Sequence, residues 1–248
     1  LLFKTMYIIV INMVLKYTID EMGKDLLEIE DENDQVMMEW EKPYMEKCIE
    51  MLDPHGDVLE VGFGMGYSAR KLCSYEAVKS YTIIECSPVV WEFFEKFKKE
   101  QNEKRPDLQI RLIPGRWEDM LSTIQDKYDI VFFDDYVGIK RTLTEMISLP
   151  PFYDFLRGIL SNNTKPGTKI GFYAHEIFNL DLDGIMVGCY EYKVDIPEYC
   201  QYARGDTMYI PIIRVLQDID PEILTRVLLK PKITKINEIK KQIKYHKK

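Results

Sequence analysis

A chain of 248 residues, 46% of them apolar, has the size and composition of one soluble globular domain with or without appendages. Its net charge of -8 leaves no chain-wide basic surface to neutralise phosphates, which excludes a general nucleic-acid binder though not a local basic patch. Five cysteines, Cys48, Cys73, Cys86, Cys189 and Cys200, are odd in number and form no C-x-x-C pair. They read as reduced, mostly buried thiols of a cytoplasmic protein, with neither a disulfide framework nor a metal site.

The first stretch, Leu1 to Leu15, is apolar around Met6 to Ile11 but too short to span a bilayer, and no small-residue cleavage site follows it. It reads as a strand or short helix packed on the domain, or as an upstream extension, and no transmembrane segment is expected. Residues 20 to 41 are crowded with acids and read as a solvated face. Pro43 then opens a helix carrying Tyr44, Met45, Cys48, Met51 and Leu52 at helical spacing. Strand-like runs follow at Val58 to Val61, Tyr81 to Glu85, Leu108 to Ile113, Asp129 to Asp134 and Lys169 to Tyr173, with helical stretches between them. Ser87-Pro88 has the form of an N-cap and first helical proline, and Lys165-Pro166-Gly167 marks a turn. Thr207 to Val215 reads as a late strand with Glu191 to Val194 as a partner. Strands alternating with helices predict an α/β fold: an open, mostly parallel seven-stranded doubly wound sheet. The tail from Lys230 to Lys248 interleaves eight lysines with isoleucines at helical spacing. It reads as a docked or frayed surface helix, or else as a contact for an anionic partner. The expected division is therefore 1–35 as an N-terminal extension and acidic cover, 36–229 as the main domain and 230–248 as a basic tail.

The most informative segment is Val58 to Ser68, in which an apolar strand ends at Glu60-Val61 and breaks into Gly62, Gly64 and Gly66 before a helix. Glycines allow a tight turn and close approach of backbone to a ligand, and the following helix offers unpaired N–H groups. A dinucleotide fingerprint would need a further glycine where Tyr67 stands, so the spacing leans away from NAD. Glu85 closes the second strand at a distance suited to accepting hydrogen bonds from two ribose hydroxyls. After the third strand, Trp117 could cover an adenine face while Glu118 or a backbone group reads its amino edge.

The loop Glu60-x-Gly62-x-Gly64-x-Gly66 is similar to that of class I S-adenosylmethionine (SAM) methyltransferases. Five ordered blocks, Val36 to Met45, Leu59 to Met65, Ile83 to Cys86, Trp117 to Asp119 and Phe133 to Tyr136, resemble guanidinoacetate N-methyltransferase and its fungal and plant relatives that methylate protein arginine at the internal nitrogen. The resemblance runs from about Val36 to Pro211. It implies SAM as cofactor, with contacts from Met37, Met45, Glu60, Gly62, Gly64, Gly66, Glu85, Trp117 and Glu118. It also implies that Glu41 and Asp134 hold and activate a guanidino group, with Asp134 at a strand end as the base.

Paired carboxylates suit that task, because their oxygens match the N–H fork of a guanidine and one of them can take its proton. Two segments depart from the family. Asp135-Tyr136-Val137 replaces Thr-Tyr-Pro, and Ala174-His175-Glu176 replaces Asn-Leu-Thr. Both departures fall where substrate is expected, so Asp135 and His175 are candidate substrate contacts, although His175 also reads as a plain loop histidine. Added negative charge would repel the carboxylate of guanidinoacetate and favour a more cationic acceptor. The sequence thus points to a SAM-dependent N-methyltransferase for a small guanidino compound, acting as a monomer or homodimer. Protein-arginine methylation and a catalytically silent SAM-binding scaffold are the alternatives.

Overall fold

The computed structural model describes residues 14–30, 32, 34–135, 151–224 and 227. The apolar stretch before Val14, the Tyr136-Val137 pair and the lysine-rich tail lie outside the described residues.

Seven strands form the main sheet: β4 (Gly56–Val61), β5 (Val78–Glu85), β6 (Gln109–Pro114), β7 (Ile130–Phe133), β8 (Lys169–Phe172), β9 (Ile185–Lys193) and β10 (Thr207–Val215). Their order across the sheet is β6-β5-β4-β7-β8-β10-β9. The first five pair in parallel, and β10 runs antiparallel to both β8 and β9. Strand order reverses between β4 and β7, which is where open α/β sheets bind ligands beyond their carboxyl ends.

The two-residue period of the central strands divides the core between the faces of this sheet. Val58, Ile130 and Phe132 point to one side, against Tyr44, Ile49 and Leu52 of α1 (Lys42–Leu52), Leu72 of α2 (Tyr67–Cys73) and Phe94 and Phe97 of α3 (Pro88–Lys104). Leu59, Val61, Val131 and Phe133 point to the other, against Trp117 of α4 (Trp117–Met120) and Phe155, Leu156 and Ile159 of α5 (Pro151–Asn162). Burying each such side chain contributes roughly 1.5–3 kcal/mol, so neither face could be left open to water. All five cysteines are free thiols; Cys86 is exposed and Cys189 half-buried. Among the described residues no helix is long and apolar enough to cross a membrane.

The expected strands are present, with one adjustment, and one helix cap differs. The partner of β10 spans Ile185–Lys193, not only Glu191 to Val194, and pairs with β10 along its whole length. Ser87 does occupy the N-cap of α3, with Pro88 at the first helical position, yet its side chain makes no capping bond. Its N–H instead donates to Oε1 of Glu85, 2.7 Å away.

The acidic segment is more than a solvated face. It contributes β2 (Asp25–Ile29) and β3 (Gln35–Met38), which with β1 (Leu15–Ile19) make a small antiparallel sheet. Leu26, Leu27, Ile29, Met37 and Met38 are buried there, while acids such as Glu39 stay at the surface, paired with Lys24 at 2.9 Å. A tight turn, Glu39–Glu41, then leads directly into α1.

Candidate active site

The chain after β4 turns through Gly62, Gly64 and Gly66, with φ of 80°, 50° and 68°. At Gly62 a Cβ would lie 1.9 Å from the carbonyl oxygen of Asp134, because the ends of β4 and β7 meet there. At Gly64 a Cβ would lie 2.6 Å from Sδ of Met37. The same sulfur accepts the Met65 N–H at 3.3 Å, and Tyr17 on β1 donates its hydroxyl to the Gly64 carbonyl at 2.7 Å. The small sheet thus packs directly on the glycine loop, and the Met37 contact needs glycine beneath it.

Glu60 and Glu85 secure this loop from within. Glu60 has no exposed surface and accepts hydroxyl donors on both oxygens, from Ser68 of α2 and Tyr81 of β5. Expected by its motif position to contact cofactor, Glu60 instead faces the core. Glu85 accepts the Phe63 N–H on Oε2 at 2.9 Å and the Ser87 N–H on Oε1 at 2.7 Å. The Cys86 N–H and thiol also act on it without completing a hydrogen bond, so of a carboxylate's about four acceptor positions two are firmly filled. Burial raises the pKa of Glu85 despite these donors.

Trp117 is buried, edge-on to Phe133 and Phe155, and its indole N–H donates to Oδ2 of Asp135 at 2.9 Å. This bond draws the Asp135 carboxylate toward α4, whereas a substrate contact was expected of it. Burial lifts Asp135 to about 6, against the pull of the Trp117 bond and of Arg116. Arg116 itself pairs with the exposed Glu118 at 2.6 Å. Met45 is wholly buried within α1.

Asp134 follows the last residue of β7 and is half-buried; its N–H donates to Val61 at 2.9 Å. No described residue donates to its carboxylate or pairs with it. Burial, then the charges of Asp135 and Glu85, raise it from an ordinary 3.8 to about 7. Glu41 arrives from the opposite direction, on the turn before α1, and is only 3% exposed. Its Oε1 accepts the Met38 N–H at 3.1 Å and the Tyr202 hydroxyl. Burial and the nearby Asp134 charge lift it to about 8. The Asp134 charge reaches Glu41, so the two acids lie within electrostatic range of one another.

Three aromatic residues, Tyr173, Trp40 and Tyr202, complete the surroundings of Glu41, and the sequence assigns none of them a role in the site. The Tyr173 hydroxyl, just past β8, is buried beside Glu41 and helps lower that acid's pKa as a donor, though it completes no full hydrogen bond among the described residues. Trp40, inside the quoted Val36 to Met45 block, stacks on Tyr202 with centroids 6.2 Å apart, and its indole nitrogen is also buried without a partner. Tyr44 holds α1 in place by donating to the Tyr209 carbonyl at 2.6 Å and accepting the Ala174 N–H at 3.1 Å. His175 and Glu176 are exposed, with the His175 ring edge-on to Tyr173 at 4.9 Å. Tyr173 had one signal, its place at the end of a predicted strand. Tyr202 had none.

Known proteins place the chain. The family model described as guanidinoacetate N-methyltransferase matches residues 20–173, more than half of the sequence. Proteins named protein arginine N-methyltransferase 2 are similar: that of Candida glabrata is 32% identical over 61% of this chain and 35% of its own length, and that of Saccharomyces cerevisiae 29% identical over 74% and 44%. A polyamine aminopropyltransferase of Streptomyces coelicolor is 25% identical over 66% of this chain and 33% of its own. The chain thus spans less than half the length of these curated relatives. A spermidine synthase in complex with the transition-state analogue AdoDATO shares the fold, with a TM-score of 0.51 at 14% identity, covering 85% of this chain and 75% of that one. The ordered blocks, the sheet order and the family match agree: the chain belongs to the guanidinoacetate N-methyltransferase family, whose members are SAM-dependent methyltransferases.

Proposed function

We propose that this protein transfers a methyl group from SAM to a nitrogen of a guanidino compound, with Asp134 as proton acceptor and Glu41 as the group that fixes the guanidine plane. The observation that carries the reading is the pair of half-buried and buried carboxylates, Asp134 and Glu41, which have no ion-pair partner among the described residues. Two acids left this way cost desolvation energy, and a planar cation with an N–H fork would offset it.

The residues present suit SAM. Glu85 keeps acceptor capacity at the end of β5, and Gly62, Gly64 and Gly66, where a Cβ would collide with Asp134, Met37 and Phe63, let the loop backbone turn tightly beside it. The acidic surroundings favour a cationic group. When bound, SAM supplies an electrophilic methyl on a sulfonium that departs as a neutral thioether. Glu85 would accept ribose hydroxyls, the turn through Gly62, Gly64 and Gly66 would present its backbone to the ligand, and Trp117 and Glu118 would border the adenine. Glu60 would act indirectly by anchoring the loop.

A guanidinium has no free lone pair, and its pKa exceeds about 12, so a proton must leave the attacking nitrogen near the transition state. As the N–C bond forms and the C–S bond breaks, that proton passes to Asp134. A carboxylate raised to about 7 is a stronger base than an ordinary aspartate, and a base poised near the working pH is the more effective catalyst. Glu41 accepts N–H donors from the other edge and holds the nitrogen in line.

We favour a small, cationic guanidine as the acceptor, because Glu176 and Asp135 would repel the carboxylate of guanidinoacetate. Arginine within a protein is the second reading, favoured by the names of the fungal relatives. The free cysteines fit a cytoplasmic setting. Incubation with methyl-labelled SAM and parallel panels of small guanidines and arginine peptides separates the two. Label in neither panel would reject guanidine methylation altogether.

A further inference from the structure

We infer that Tyr202, in the loop between β9 and β10, is the positioning residue that turns the Glu41 carboxylate toward the acceptor. The inference rests on Glu41 being the acceptor-binding acid. The Tyr202 hydroxyl and the Met38 N–H both donate to Oε1 of Glu41, and the Tyr173 hydroxyl is the further donor beside the carboxylate. Two donors on one oxygen fix the plane of the carboxylate, and of its roughly four acceptor positions these and Tyr173 leave room for a ligand N–H on the Oε2 side. An acceptor N–H would take Oε2 without displacing either bond.

The loop is built to hold this phenol still. Gln201 and Gln35 bond reciprocally, Gln35 N–H to Oε1 of Gln201 at 3.1 Å and Gln201 N–H to Oε1 of Gln35 at 2.8 Å. The Tyr199 hydroxyl donates to Asp20 at 2.8 Å, and Cys200 and Ala203 pack on Leu26 and Met38 of the small sheet. The loop therefore docks on β2 and β3 on either side of Tyr202, and Trp40 stacks on its ring. Burial and the Glu41 charge raise the phenol's own pKa, so it remains a donor across the working range. The other titratable groups facing Glu41 are Asp134, Tyr173 and Tyr67.

Tyr202→Phe keeps the ring and removes only the donor. A hydrogen bond to a charged group supports an expected rise of about 10- to 100-fold in KM for the best guanidine acceptor, with the Kd for SAM unchanged and kcat altered less. Because the lost bond had stabilised the carboxylate, the acidic limb of the kcat/KM profile is expected to move to higher pH. An unchanged KM together with an unmoved limb would overturn the inference. If the unmutated protein methylates no guanidine, the underlying reading has failed, and the Glu41 carboxyl titration by carbon-13 NMR decides separately. An upward shift in Tyr202→Phe sustains the role of Tyr202, and an identical titration ends it. Should Tyr202→Phe not fold, Gln201→Ala cuts the loop's anchor and leaves the phenol in place. It is expected to move KM and the limb in the same direction by a smaller factor, and no movement of either would also overturn the inference.

Discussion

Glu60 and Glu85, on the side of the cleft proposed for the cofactor, each have a protein donor on both oxygens; Glu41 has its two full hydrogen bonds on one oxygen, and Asp134 has none among the described residues. All four are raised in pKa by burial, so the contrast is one of partners and not of environment. An acid with a donor on each oxygen helps hold the scaffold, Glu60 outright and Glu85 alongside its proposed ribose contacts, and its removal should disturb the loop it holds. An acid with unused acceptor positions is ready for a ligand, and its removal should damage chemistry while sparing, or even helping, the fold. This difference separates two groups of carboxylates that sequence motifs treat alike.

The sharpest way to break the contrast is Asp134→Asn, which keeps shape and removes basicity. Loss of a general base costs about 10²- to 10⁴-fold, expected mainly in kcat with SAM affinity nearly unchanged. The variant should also melt no lower than the parent. Full methyl transfer by Asp134→Asn would end the base assignment. Glu60→Gln is the counterpart: it should lower thermal stability, because Ser68 and Tyr81 lose a charged acceptor in the core.

Acid titration tests the same contrast without mutation. Asp134 at about 7 and Glu41 at about 8 must ionise to serve, so kcat/KM is expected to fall at least about tenfold per unit below pH 7. Stability should run the other way. These carboxyls bind protons more tightly folded than unfolded, so their contribution is complete below their ordinary pKa values, near 4, and is lost as pH rises through about 7 to 8. The unliganded protein is therefore expected to melt higher at pH 5.5 than at pH 8.5. Melting points that rise across that window would contradict the placement of these acids.

The sheet was legible because its signals are local: apolar runs, a glycine turn and a proline-opened helix survive in a linear reading. The C-terminal ends of β4, β5 and β7 follow directly, and with them Gly62, Glu85 and Asp134. Orientation was not legible. Which way Glu60 or Asp135 turns depends on Tyr81 and Trp117, residues 21 and 18 positions away, and no spacing rule couples them. The small sheet was hidden by its outward acids, since five buried apolar residues lie among charges in a run that composition alone reads as solvated. Tyr202 lies 161 positions from Glu41 and meets it only because the β9–β10 loop docks on β2 and β3.

On the cofactor side, Glu85→Ala removes charge-assisted bonds worth about 1.5 to 3 kcal/mol each. SAM affinity by calorimetry should drop well over tenfold in a folded protein. Because Glu85 also binds the N–H groups of Phe63 and Ser87, Glu85→Gln is the cleaner probe: its amide oxygen can keep one of these bonds. Unchanged SAM affinity in both variants would remove Glu85 from the site and leave it wholly with the scaffold, beside Glu60.

The smallest expected effect belongs to Tyr17, which touches the cleft only through the glycine loop. Its hydroxyl donates to the Gly64 carbonyl at 2.7 Å, and its ring packs on Phe93 with centroids 4.6 Å apart. Tyr17→Phe keeps the ring contact and removes one neutral hydrogen bond, worth about 0.5–1.5 kcal/mol. Met37 still covers Gly64 in that variant, since its sulfur is held by the Met65 N–H, so the loop should loosen without collapsing. A few-fold weaker SAM affinity is expected, with acceptor KM and the pH profile unmoved, because Glu41 is held through Met38 and Tyr202 and not through β1. A shift in the acceptor pH profile would mean that the two sides of the cleft are coupled through the small sheet, and that the bonded and open carboxylates do not act separately.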